Sequence, residues 1–303
     1  MKKEPLASKI FVVVVVSFGW AFIAQIVPTL IGMFGTDTNL LIRDPKYQLL
    51  FLYTELIGIL SMYFYYHDDV ILVTFRGKKP IRSYLKGWVL GLFLFLLVWG
   101  SIVTLGGYNI HIVFDVSNLI WLPLFLFGFS IQSMFEELLC RGYVMGYWIK
   151  EKRPVLAVII NSILFSSLHI ANPHFDWYSA MGLFLFGVVM SELRIINHNI
   201  LMCGAVHAAW NFFEGTIFGT TVSGLPNIGL VFKSMNKTTS QVLTGGYFGI
   251  ERSGVSILIY AVLAITLAII IKKRKTPEFL SSPTYLQATA KIKPISSCRT
   301  ILK

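Results

Sequence analysis

The chain has 303 residues, 55% of them hydrophobic and only 14% charged, with 26 Lys and Arg against 15 Asp and Glu and a net charge of +11. So few charges cannot coat an ordinary soluble globule, and so much hydrophobicity excludes disorder. Basic charge on a chain this apolar fits the cytoplasmic flanks of membrane helices rather than a nucleic-acid surface, and Cys140, Cys203 and Cys298 are too scattered for a disulfide framework or a CxxC zinc site.

A membrane helix needs about 20 mostly apolar residues. By that length the chain offers eight stretches, roughly 10–34, 48–66, 84–106, 117–148, 154–171, 177–193, 199–219 and 254–271. The first opens on the valine run Val12 to Val16 and is read as an uncleaved span, since it is too long for a signal-peptide core and no small-x-small cleavage site follows. Placing the N-tail, loops 2–3, 4–5 and 6–7 and the C-tail in the cytoplasm puts 20 of the 26 basic residues inside and 5 outside, with Arg141 within a span. That asymmetry predicts N-in and C-in with an even number of spans. The expected fold is therefore an all-α polytopic membrane protein of about eight helices, in three parts: 1–116 with spans one to three, 117–271 with the remaining spans, and 272–303 as a solvated basic cytoplasmic tail. Gly87 with Gly91, and Gly142 with Gly146, have the small-xxx-small spacing of close helix packing.

Charge inside a span is expensive, so each case is a functional candidate. The fourth span carries Glu136, Glu137 and Arg141. Glu137 and Arg141 are four apart on one helix face and can pair. Glu136 lies about 100° round the helix and lacks that partner. A poorly solvated carboxylate there can act as base or acid near neutrality, and the plain alternative is a wet helix end near Lys150 and Lys152. The fifth span ends at Phe165 and His169, and the seventh puts His207 and Asn211 on one face. Together these spans hold a base, two imidazoles and an amide, the parts needed to activate water and stabilise an oxyanion. Glu55 reads as a partner for Arg141 or a lone acid, Asn161 as a buried polar group, and Glu214 as a helix end.

In order, Glu136-Glu137-x-x-x-Arg141, Phe165-x-x-x-His169 and His207-x-x-x-Asn211 resemble the motifs of the CPBP family of intramembrane proteases. That family includes the CAAX prenyl endopeptidases of the Rce1 type, the bacterial Abi proteins and bacteriocin-processing or immunity proteins. The resemblance covers about 117–271, including a glycine-rich approach, Gly245 to Glu251, to the last span. It implies a multi-pass protein of a bacterial cytoplasmic membrane that hydrolyses a peptide bond in a peptide or membrane-protein substrate within the lipid bilayer, with no nucleic-acid partner. Glu136 would activate the water, His169 would help hold it or shuttle its proton, His207 and Asn211 would stabilise the oxyanion, and Glu137 with Arg141 would orient Glu136 and tie the helix to its neighbours. Glu136, His169 and His207 are also the candidate ligands of a Zn²⁺ ion in a His₂Glu site, although HExxH is missing; a metal-free, glutamate-activated water explains the same residues. A non-proteolytic immunity or scaffold protein of the same fold, and a proton-coupled transporter, are the competing functions.

Overall fold

The computed structural model describes residues 4–34, 44–69, 71–73, 75, 79–226 and 229–273. The basic tail from residue 274, with Cys298, lies outside the described residues, as do Lys2, Lys3, Arg43, Arg76 and Lys78. The architecture is a bundle of helices: α1 (Leu6–Ala24), α2 (Ile26–Met33), α3 (Pro45–Tyr66), α4 (Pro80–Thr104), α5 (Trp121–Glu137), α6 (Met145–Lys150), α7 (Pro154–Ser167), α8 (Trp177–Asn197), α9 (Leu201–Asn211), the single turn α10 (Gln241–Thr244) and α11 (Gly254–Lys273).

Local chemistry sets several of these boundaries. Helices α3, α4 and α7 each begin with a proline, whose fixed φ and missing N–H suit the first helical position. Asp44 caps α3 by accepting from the Lys46 amide at 2.8 Å. Pro28 cannot bond back to Ala24 and crowds its carbonyl, so the first apolar stretch breaks at Gln25 instead of forming one helix.

All eight apolar stretches are helical, but among the described residues six helices are long and apolar enough to cross a membrane. These are Leu6–Ala24, Pro45–Tyr66, Pro80–Thr104, Val116–Lys150, Trp177–Asn197 and Gly254–Lys273. The chain is thus a multi-pass membrane protein. The stretch at 154–171 winds only 14 residues of helix, a rise of about 21 Å against a hydrocarbon core of roughly 30 Å. The stretch at 199–219 divides into α9 and a π-helical turn, Phe212–Ile217. A second π-helical turn, Leu138–Val144, interrupts the fourth span directly after Glu137. The all-α expectation also needs amending: strands β1 (Tyr108–Ile112) and β2 (Phe232–Asn236) pair antiparallel, with Tyr108 opposite Asn236 and Ile112 opposite Phe232. Both lie in loops between spans, where helical periodicity gives no signal.

Small residues place the helix that carries His207. A Cβ on Gly87 would stand 2.6 Å from the Met202 carbonyl oxygen and 2.6 Å from Ala205 Cβ, and one on Gly91 would stand 2.5 Å from the Val206 oxygen and 2.7 Å from Ala209 Cβ. The backbones of α4 and α9 therefore touch along the expected Gly-xxx-Gly face. Gly142 and Gly146 have a different use. Their missing Cβ atoms make room for the backbone oxygens of Leu72, at 2.6 Å, and Ile71, at 3.0 Å, so the neighbour is a non-helical segment rather than a helix. Cys140 and Cys203 are buried free thiols.

Because the atoms crowding Gly91 are backbone, they cannot swing aside. Gly91→Leu is expected to cost about 1–3 kcal/mol through overpacking. Gly100, also in α4, has nothing within 4 Å of a Cβ, so Gly100→Leu should leave the thermal unfolding midpoint in detergent unchanged while Gly91→Leu lowers it.

Candidate active site

Arg141 and Glu137 are both fully buried. The spacing of four that predicts their pairing is realised: Arg141 Nη1 donates to Glu137 Oε1 at 3.0 Å. The guanidinium also donates from Nη2 to the Gly187 carbonyl on α8 at 3.1 Å and lies 4.6 Å over the ring centroid of Phe165 on α7. One cation thus ties three helical segments through a carboxylate, a carbonyl and an aromatic face.

The same Glu137 oxygen lies 3.1 Å from His207 Nδ1. A carboxylate only accepts, so this nitrogen carries the proton and the ring orientation is set. Nε2 then points at Glu136, 3.8 Å from Oε2. That separation is too long for a direct hydrogen bond. Glu136 Oε2 is buried and has no partner among the described residues. A free carboxylate oxygen and an imidazole nitrogen therefore converge on one point from α5 and α9.

Glu136 Oε1 is held by a residue that the motif reading missed. Gln132 Nε2 donates to it at 2.5 Å, while Gln132 Oε1 accepts from Asn211 Nδ2 at 3.0 Å. Because the carboxylate must accept, the Gln132 amide turns its NH₂ to Glu136 and its oxygen to Asn211. The signal was present, since Gln132 stands four residues before Glu136 on the same helical face. A neutral amide in a span carries no charge to draw the eye.

His169 is placed apart from this network. Helix α7 ends at Ser167, and His169 sits in the turns beyond, with Nδ1 2.9 Å from the Phe165 carbonyl oxygen. Its ring centroid lies 5.1 Å from that of Phe165, which in turn lies 5.7 Å from that of His207. Phe165 thus touches both imidazoles. Among the described residues His169 forms no ion pair, and no three His, Cys, Asp or Glu side chains gather where they could hold a metal ion. Glu136, His169 and His207 are not gathered into a His₂Glu zinc site as placed, although Glu136 Oε2 and the His169 Nε2 are not taken by the bonds to Gln132 and Phe165.

The other polar residues resolve differently from their expected roles. Glu55 is no partner for Arg141; Gln25, freed at the break between α1 and α2, donates to it at 2.6 Å. Asn161 donates to the Ala157 carbonyl at 2.6 Å and to Ser191 Oγ at 3.0 Å, tying α7 to α8. Glu214 is not a wet helix end: it is fully buried and accepts from the Ile250 amide at 3.0 Å. His207 and Asn211 also line a small cavity together with Ser223 and Glu251, walled by Phe165 and Trp210, with room for about one water molecule.

Residues 118–213 match the family model described as type II CAAX prenyl endopeptidase, Rce1-like. The matched segment contains all three motifs and agrees with the family that they resemble. That family is one of intramembrane proteases. No curated protein matches the chain.

Removing Arg141 would leave Glu137 buried and unpaired. Arg141→Met is expected to destabilise the protein by about 3–5 kcal/mol. Its effect should show as a lower unfolding midpoint and a lower yield of monodisperse protein in detergent, and a midpoint equal to wild type would contradict the central role given to this pair.

Proposed function

We propose that the protein is an intramembrane endopeptidase in which Glu136 activates the attacking water. The observation that carries this reading is the unpartnered Oε2 of Glu136 facing His207 Nε2 at 3.8 Å. A water seated beside that gap can bond both groups. Glu136 takes a proton as the water oxygen attacks the scissile carbonyl carbon, and the carbonyl electron pair moves to oxygen. Asn211 has a second amide hydrogen beyond the one given to Gln132, and it supports the oxyanion; His207, whose Nδ1–H goes to Glu137, adds to this from Nε2 when that nitrogen is protonated as well. His169, with Nδ1 bonded to Phe165, keeps Nε2 for substrate or water at the edge of the site. Glu137 and Arg141 set the orientation of His207, and Gln132 sets that of Glu136.

The substrate class is a membrane-presented peptide or protein, with a prenylated CAAX peptide the class named by the matched family. The location that fits is a bacterial cytoplasmic membrane with both termini in the cytoplasm, on the charge asymmetry of 20 basic residues against 5. A reporter fused beyond residue 273 should therefore report from the cytoplasmic side.

Glu136→Gln should retain the fold and lower kcat on a quenched-fluorescent prenylated CAAX peptide by about 10²–10⁴. Full activity in that variant would reject the reading, and cellular protection that survives it would favour an immunity protein. Gln132→Met, which keeps the volume and loses both hydrogen bonds, should lower kcat about tenfold or more, the worth of a hydrogen bond to a charged group. Metal analysis of purified protein, with activity measured after chelation, tests the metal-free scheme. An unchanged rate supports it, and a loss restored by Zn²⁺ replaces it.

A further inference from the structure

Glu251 belongs to none of the three motifs and lies outside the residues matched by the family model. It sits in a short 3₁₀ turn, Ile250–Arg252, just before α11, and is almost wholly buried. It lines the same cavity as His207 and Asn211. A cavity with room for about one water brings anything inside it against all of its polar walls.

The carboxyl group is held in a built setting. Its Oε1 accepts from Ser223 Oγ at 2.8 Å and its Oε2 from the Ser223 amide at 3.2 Å. Ser223 adopts a left-handed backbone, φ 46°, that few non-glycine residues occupy. Gly249, at φ 125°, has no Cβ where Glu251 Oε2 would be met at 2.9 Å and Glu214 Oε1 at 3.1 Å. The same Cβ would stand 2.2 Å from the Thr221 carbonyl oxygen, so this position beside the two buried acids has no room for a side chain.

No cation balances Glu251 among the described residues. Arg252 next to it turns away to Asp176 Oδ2, at 2.9 Å and 2.5 Å, and to the Gln241 carbonyl. The titratable groups that feel its charge are His207 on α9, Glu214 in the π-helical turn, Tyr260 on α11 and Tyr108 on β1. Burial pushes the Glu251 carboxyl up to about 7.

Resting on the reading of Glu136 as the base, we propose that Glu251 is the general acid of the same reaction: a second catalytic carboxyl that delivers a proton to the leaving amine in the cavity it lines with His207 and Asn211. When the tetrahedral intermediate collapses, the C=O bond re-forms and the C–N bond breaks. The C–N electron pair goes to nitrogen, and the Glu251 O–H proton follows it. The proton that Glu136 took from water then returns to Glu251 through water in the emptied site. Water is thereby divided into acyl hydroxyl and amine hydrogen with no other reactant.

The test uses the full-length protein in detergent or nanodiscs and two probes: the prenylated quenched-fluorescent CAAX peptide, and the same peptide with a thioester at the scissile bond. A thiolate leaves as an anion and needs no acid, whereas an amine does. Glu251→Gln should lower kcat on the peptide by about 10² or more yet change thioester hydrolysis by about threefold or less. Glu251→Asp, which keeps an acid, should recover part of the peptide rate. Glu136→Gln should lose both probes. Equal losses on both probes in Glu251→Gln, or an unaffected peptide rate, would overturn the assignment while leaving Glu136 in place. If Glu251→Gln fails to fold, Ser223→Ala, which frees the carboxyl from its 2.8 Å hydroxyl donor, decides by the same peptide-to-thioester comparison. A wild-type protein that hydrolyses neither probe overturns the proposed function and this inference together.

Discussion

Arg141 and Glu137 are fully buried, and neither charge could be so placed alone. Their pairing is the constraint on which the rest of the site depends. Arg141 collects a carboxylate from its own helix, a carbonyl from α8 and the face of Phe165 from α7. Glu137 passes the constraint on to His207 on α9. A pair of this kind is not a large source of stability, since desolvation offsets most of its attraction. Its value is geometric, because a side chain with fixed partners on several elements has one position.

Two packing features allow the pair to work. Gly187 brings α8 close to α7, where a Cβ would stand 3.0 Å from Ser162, so its carbonyl can face Arg141. Gly87 and Gly91 bring α4 against α9, which seats His207 and Asn211 at a set depth. The π-helical turns at 138–144 and 212–217 follow directly after Glu137 and Asn211. Such turns widen a helix by one residue per turn and are frequent beside functional side chains.

Around this frame the polar groups form a continuous set rather than isolated points. Gln132 links Glu136 to Asn211, Glu137 links Arg141 to His207, and His207 and Asn211 share a cavity with Ser223 and Glu251. In a low-dielectric interior each link raises the cost of losing its neighbours.

By itself the sequence determined the features that local periodicity and solvation control. Apolar length marks helices that cross a membrane, proline marks their starts, and a spacing of four puts Glu137 beside Arg141 and His207 on the face of Asn211. These relations are set within one helix and need no knowledge of its neighbours. Tertiary structure decided everything that depends on how helices rotate and approach. It gave Glu55 to Gln25 instead of Arg141, put Phe165 against both His169 and His207, inserted Gln132 between Glu136 and Asn211, and paired two distant loop segments as strands. It also brought Glu251, at the far end of the chain, to the wall of the cavity. Contacts between residues far apart in sequence arise from packing and backbone chirality summed over the whole bundle, and no spacing within a single helix encodes them.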